Sequence, residues 1–515
     1  MVPASQSAFS WEPEHMLSNL RAQVAAETAR TGRRRTIHLT DGTLRDAHQC
    51  LWATRMRTEH MLPIAERLDQ AGFVSMEGIA LVQFDASVLF LNQDPFERLR
   101  LLRERITRTP LRAAVRSNLM RGFYPVADDI SLLFAERLIA NGARDMAFME
   151  ALLCWDNVAA TVKRTRELGC RAIMALGYNI APGYDDAFYA RKAAEAWQRF
   201  GSDGFCIVDA GGILTVERTR TLVPAVRAAI GPECTLEFNT HCLTGLGPLL
   251  ALEAAVHGAD RLLCAVDPLA NGNSLPAAQM LARNLREIGF DVTVDDRLLD
   301  EVGGYLGRLA EQTGQPVGVA TEYDPSQYET QYAGGAQSNL EAQLKQAGLM
   351  DRLPAVLDEI SRVRVELGSP VMVTPFPAIV AAQAVMNVLN AERYKVVPDE
   401  VKKYVCGYFG ALPIPVDPDV KDRIISNGSK DVAQTPPALE PVVPQLRKRY
   451  GHLSDEQLVL RYMYGDEKID ALVAAPTDFS IEQPLVELVA GLARMPRKRA
   501  VHVVSPGFEL HANAG

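Results

Sequence analysis

Between about residues 36 and 290, short β-branched apolar runs alternate with stretches whose apolar residues recur three and four positions apart. The unit repeats at roughly 30-residue spacing, the signature of strands alternating with helices. The runs predict strands at Ile37–Thr40, Phe73–Glu77, Leu111–Val115, Met146–Met149, Ala172–Gly177, Gly204–Val208, Thr235–Asn239 and Arg261–Ala265. Stretches such as PFERLRLLRERI, ISLLFAERLIANG and NVAATVKRTRELG predict the helices between them. Eight such units match the count of a (β/α)8 barrel. A doubly wound open sheet would use fewer strands and carry GxGxxG after the first. That signature is missing, and GLGPLL at 245–250 lacks its third glycine.

From residue 290 to about 424 the period is helical, as in SNLEAQLKQAGLMDRLPAVLDEISRVRVELG. The expected fold is therefore α/β, a TIM barrel followed by a mostly helical C-terminal domain. Four segments are expected: an N-terminal helical extension (1–35, with a helix from about Glu14 to Arg30), the barrel (36–290), a helical domain (291–425), and a linker with a C-terminal extension (426–515). Ser454 and Gln457 form a capping box ahead of a short helix, while the last 40 residues show no clear period.

Composition narrows the class. The 515 residues carry a net charge of −9, which argues against nucleic-acid or anionic-membrane partners, and RMPRKR at 494–499 is too short to change that. No run approaches 18 apolar residues, and the N-terminus lacks a basic region before an apolar one, so neither a membrane span nor a signal peptide is expected. The eight cysteines form no CxxC pair and sit mostly in apolar runs. Buried thiols in a reducing cytoplasm are the expectation.

In a barrel of this kind chemistry sits at the C-terminal strand ends. After the first strand comes DGTLRDAHQC, with Arg45, Asp46, His48 and Gln49 close together, and the LWATRMRTEHMLPIAERLDQAG that follows it predicts a helix. The decapeptide reads either as a site offering a fixed cation and a metal ligand, or as a solvated Arg–Asp pair at a turn. Arg116 follows the third strand, Glu150 the fourth and Asp209 ends the sixth. At the seventh, alternation puts Asn239 and His241 on one face and Thr240 and Cys242 on the other. If that face is the interior, Asp46, Asn239 and His241 converge as a possible site for a divalent cation. A hydrogen-bonded core histidine is the plainer reading of His241.

RDAHQ with ATRMRT downstream, FLNQDPFERLRLLRE, VRSN, NTHCLTG, QYAGGAQSNLEAQLKQAG, VMVTPFPAIVAAQAVMNVL and ERYKVVPDEVKKYVCGYFG together resemble the carboxyltransferase component of biotin-dependent carboxylases. That family includes pyruvate carboxylase, the oxaloacetate decarboxylase alpha subunit and the transcarboxylase 5S subunit, and the resemblance spans roughly residues 36–425. It implies that Asp46 and His241 are metal ligands, that Arg45, Gln49 and Arg116 hold a 2-oxo acid and its enolate, and that Thr374 shuttles a proton to biotin. The chain departs from the family in four places. The carboxylated lysine falls on Val208, the first histidine of HxH on Asn239, a glycine pair on Ala80 and Leu81, and an arginine and an aspartate on Ala147 and Glu150. Zinc or manganese is thus expected to be weakly held at Asp46, Asn239 and His241.

No Met-Lys-Met biotinylation sequence and no GxxxxGK[ST] loop occurs. The resemblance then implies biotin on a separate carrier subunit, a biotin carboxylase subunit as second partner, a small-molecule substrate and a homo-oligomer, a dimer. Two other readings stay open: a non-catalytic homologue occupying the carboxyltransferase place in an assembly, and a biotin-independent lyase or aldolase that would keep Arg45 and the metal and dispense with Thr374.

Overall fold

A computed structural model describes residues 15–116, 118–121, 124–332, 334–474, 501–505 and 508–512. Eight parallel strands close into a barrel: β1 (His38–Asp41), β2 (Ser75–Ala80), β3 (Leu111–Arg116), β4 (Ala143–Met149), β5 (Arg171–Gly177), β6 (Gly204–Asp209), β7 (Thr235–Thr240) and β8 (Arg261–Cys264). Each strand pairs with its sequence neighbours, and β1 closes on β8 through His38↔Arg261 to Asp41↔Cys264. The expected strands are all present, with ends that differ by at most three residues.

Local chemistry starts the outer helices. Asp94 precedes Pro95 and accepts hydrogen bonds from the backbone N–H groups of Phe96 (2.8 Å) and Glu97 (3.3 Å). This is an N-cap with proline at the first helical position. Asp185 and Thr215 cap two later helices in the same way. Ser454 accepts from the Gln457 N–H at 3.3 Å, as its capping motif predicts.

The barrel interior is polar in its lower part. Arg112 donates to both carboxylate oxygens of Glu237, at 2.6 and 2.8 Å, and stands 3.4 Å from Asp145. Ser75 donates to Asp145 at 2.8 Å. A buried arginine is tolerable only when paired in this fashion.

Beyond the barrel, helices at Asp296–Thr313, Gly334–Gln346, Leu353–Glu366, Phe376–Leu389, Asp399–Val405 and Pro418–Asn427 follow, with a further three between Val443 and Ala474. Arg364 anchors this region over the C-terminal ends of the strands. Its guanidinium donates to Asn179 Oδ1 (2.5 Å), Gln331 Oε1 (3.0 Å) and the Ile180 carbonyl (3.2 Å). Asn179 donates in turn to the Ser369 carbonyl at 2.9 Å. The segment carrying Thr374 is thereby held against the mouth.

In a separate unit, Val501–Ser505 pairs antiparallel with Phe508–Ala512. Among the described residues no helix is long and apolar enough to cross a membrane. No disulfide joins any of the eight cysteines, and six of them are buried.

Candidate active site

The first strand feeds the site through a clamped turn. Asp41 Oδ1 accepts from the Thr43 N–H (3.1 Å) and hydroxyl (2.5 Å), and the Thr43 oxygen accepts from the Val266 N–H (2.8 Å). Residues Thr43–Ala47 then form one wide helical turn, and a Cβ on Gly42 would stand 2.6 Å from Leu275 Cδ1. Here the structure corrects the sequence reading. The helix after β1 is not continuous, because Ala53 and Thr54 take left-handed φ values of 44° and 66° and the long helix begins only at Thr58. That break fixes DGTLRDAHQC as a rigid corner at the mouth.

Arg45 donates to Asp46 Oδ1 at 2.9 Å and to Glu77 Oε1, on β2, at 2.8 Å. His241 Nε2 lies 3.1 Å from Asp46 Oδ2, and the Asn239 side chain also hydrogen-bonds Asp46. Burial would raise Asp46, but the Arg45 guanidinium, His241 and Asn239 hold its carboxyl well below the ordinary range. Burial raises Glu77, and Arg45 offsets this only in part. The carboxylates and the arginine thus largely satisfy one another.

Arg116 is held more loosely. Its guanidinium stands 3.8 Å from Asp85, whose other oxygen accepts from the Tyr464 hydroxyl at 2.9 Å. Arg45, Asp46, Gln49, Arg116, Val208, Asn239, His241 and Thr374 all line one cavity of about 130 Å³ at the mouth. The rest of its wall is mostly short or apolar: Ala80, Ala114, Ala147, Met149, Ile173, Ala175, Leu263, Val373 and Pro377. Thr374 is not a helix cap, since Pro375 takes that position for Phe376–Leu389 with no side-chain cap bond. Glu150 is occupied elsewhere, accepting from the Cys154 N–H (2.6 Å) and the Asn157 amide (3.1 Å). Asp209 accepts from the Ile213 and Leu214 N–H groups and the Thr240 hydroxyl.

The comparisons with known proteins agree with this architecture. A family model described as a conserved carboxylase domain matches residues 328–488. A pyruvate carboxylase subunit of Methanocaldococcus jannaschii is 36% identical over 83% of this chain and 76% of its own length. The chain belongs to the carboxyltransferase family of the biotin-dependent carboxylases. The 2-oxoglutarate carboxylase large subunit of Hydrogenobacter thermophilus is 32% identical, over 78% of this chain and 62% of that one. The methylmalonyl-CoA carboxyltransferase 5S subunit of Propionibacterium freudenreichii is 28% identical over 79% and 80%. In fold, the carboxyl transferase domain of Rhizobium etli pyruvate carboxylase superposes with a TM-score of 0.77, at 22% identity, over 97% of this chain and 87% of that one.

Membership in this carboxyltransferase family implies biotin and a metal site. A buried trio, Asp46, Cys50 and His241, places one donor atom each within 4.8 Å of one another. The donor chemistry nevertheless does not fit a divalent cation. Asp46 is the trio's only carboxylate, and a guanidinium already balances it. The Cys50 thiol donates toward Asp46 at 3.8 Å, so the trio's sulfur is itself turned on the one carboxylate. His241 Nδ1 and Asn239 Oδ1, buried without a hydrogen-bond partner, are neutral atoms and add no negative charge for a cation. Val208 offers hydrocarbon only.

The sequence reading missed Cys50, Glu77 and the Asp85–Tyr464 pair. Cys50 could have been found from its i+4 spacing to Asp46, and Glu77 as a lone acid in an apolar strand. Tyr464 gave no signal, because it meets Asp85 across 379 residues.

Proposed function

We propose that this chain is the carboxyltransferase component of a multi-subunit carboxylase, moving a carboxyl group between biotin on a separate carrier and an enolisable 2-oxo acid-like substrate. The observation that carries the reading is the placement of Arg116, Gln49 and Thr374 around one cavity although they come from three distant stretches. Biotin carboxylated on its ring nitrogen would supply the carboxyl group, and the nitrogen freed when that C–N bond breaks would take the proton that the substrate carbon gives up as its new C–C bond forms. Arg116 holds the substrate carboxylate, since a planar guanidinium suits a planar anion. The Gln49 side-chain oxygen is buried without a partner, which leaves that amide to orient the substrate. Developing enolate charge is met by Arg45, a preorganised donor whose position costs no rearrangement during the reaction. Thr374, exposed at the mouth, stands where a proton passes between substrate carbon and carrier.

Relatives named as subunits of larger enzymes support a biotin carboxylase and a biotin carrier as partners. The unfavourable metal donor set favours one second reading, a homologue that holds the carboxyltransferase place without turnover. It weighs against a metal-dependent aldolase. The test is capture of the native protein and a streptavidin blot of what accompanies it, followed by carboxyl transfer assayed in the recovered complex. A biotinylated partner with transfer to a 2-oxo acid is expected. A biotinylated partner without transfer to any 2-oxo acid would establish the non-catalytic reading, and no biotinylated partner would end both.

A further inference from the structure

Around the mouth, the strand registers place Arg116 beside Met149, Met149 beside Ala175, and Ala175 beside Cys206. Ala147 sits beside Ile173 one layer below, and Val208 borders Asn239. These residues of β4 to β6 line one continuous side of the cavity, and none carries a charge. Burial raises the Cys206 thiol far above its usual range, so it too is neutral. On the far side Arg45 is committed to two carboxylates at 2.9 and 2.8 Å, and below them Arg112 is committed to Glu237 at 2.6 Å. Arg116, 3.8 Å from Asp85, is the cavity arginine with the loosest partner.

We propose that the β4–β6 wall is a hydrocarbon subsite and that the substrate is a monocarboxylate with an aliphatic chain longer than a methyl group, its carboxylate on Arg116. The proposal rests on the reading of Arg116 as the carboxylate-binding residue. Arg116 adjoins Met149, so a carboxylate seated there lays the rest of the molecule over Met149, Ala175 and Val208. The alanines keep that space open. A second carboxylate on the same chain would face no donor on this wall and would lose its hydration without compensation. The position that the family gives to an anionic metal ligand has become, in Val208, part of the hydrocarbon surface. Each added methylene buried there should tighten binding by about fourfold, until the cavity is full.

The experiment is calorimetric titration of the full chain with pyruvate, 2-oxobutyrate, 2-oxopentanoate and 2-oxoglutarate, and with propanoate, butyrate and pentanoate as matched acids without the keto group. Affinity is expected to rise along both straight-chain series, and 2-oxoglutarate is expected to bind at least tenfold more weakly than 2-oxopentanoate. Val208→Lys should reverse that last preference. Ala175→Leu, which adds only hydrocarbon bulk, should weaken 2-oxopentanoate and pentanoate at least fivefold more than it weakens pyruvate, with folding followed by circular dichroism. Affinity independent of chain length, 2-oxoglutarate as the tightest ligand of the unaltered protein, or no binding by any acid would overturn the proposal. Chain-length dependence in both series with no advantage for the keto acids would leave the subsite standing and remove the 2-oxo acid reading instead.

Discussion

The two sides of the barrel mouth are built on opposite principles. On the β1, β2 and β7 side, Arg45, Asp46, Glu77, Asn239 and His241 form a hydrogen-bonded set in which each charge has a partner. On the β4 to β6 side, Ala147, Met149, Ile173, Ala175, Cys206 and Val208 present hydrocarbon and one neutral thiol. Carboxylate and imidazole donors for a cation lie on the charged side alone, and the apolar side offers one neutral thiol. On the proposed function, the charged side would serve orientation and charge stabilisation, and the apolar side shape. Substitutions on the two sides should consequently fail in different ways.

The largest effect is expected beneath the charged side. Arg112→Leu would leave Glu237 and Asp145 buried without their main cation, and breaking a buried pair from one end costs about 3–5 kcal/mol. Val208→Ala on the other side removes only part of a small side chain and should cost about 1 kcal/mol. Denaturant unfolding of both proteins gives the comparison directly, and equal losses would erase the contrast between the two sides.

Next comes Thr374→Ala, at the mouth and outside both walls. General acid–base groups contribute roughly 10²–10⁴-fold, so carboxyl transfer in the reconstituted complex should fall at least a hundredfold. Because Thr374 caps no helix, the unfolding midpoint should stay close to that of the parent protein. Near-normal turnover would take Thr374 out of the mechanism.

A metal measurement sharpens the comparison further. Protein dialysed against metal-free buffer should hold well under one equivalent of zinc or manganese by elemental analysis. Val208→Lys combined with Asn239→His restores the family's residues to both positions and should bind either ion at least about tenfold more tightly. A full equivalent in the unaltered protein would show that Asp46, Cys50 and His241 suffice after all.

How much of this was legible in the chain follows the same division. The barrel could be read because alternation and helical period are local properties, and Asp46, Asn239 and His241 could be brought together because strand parity is fixed by geometry. The apolar side was visible only as departures from a resemblance, since Ala147 or Val208 in a strand carries no signal of its own. The extent of the helix after β1 was misjudged because Ala53 and Thr54 adopt backbone conformations that their residue types do not announce. The placement of Thr374 at the mouth depends on Arg364 docking against Asn179 and Gln331, which are tertiary contacts without a local pattern.

The smallest predicted effect concerns Tyr464, which ties the helix Asp455–Tyr464 to Asp85 and, through it, to Arg116 at the end of β3. Its hydroxyl donates to one oxygen of Asp85 while the other oxygen faces Arg116. Burial raises the Asp85 carboxyl, and Arg116 and the Tyr464 hydroxyl oppose that rise. In Tyr464→Phe the released oxygen is free to turn toward Arg116, closing the loose 3.8 Å pair and competing with a bound carboxylate. Affinity for 2-oxobutyrate should fall by about threefold to tenfold, with a stability loss of about 1 kcal/mol from the missing hydrogen bond. If Tyr464 acts through Arg116, the Arg116→Lys protein should show no further loss of affinity when Tyr464→Phe is added, while the stability losses still add. Losses of affinity that also add would make Tyr464 a packing residue alone and leave Arg116 set by the barrel itself.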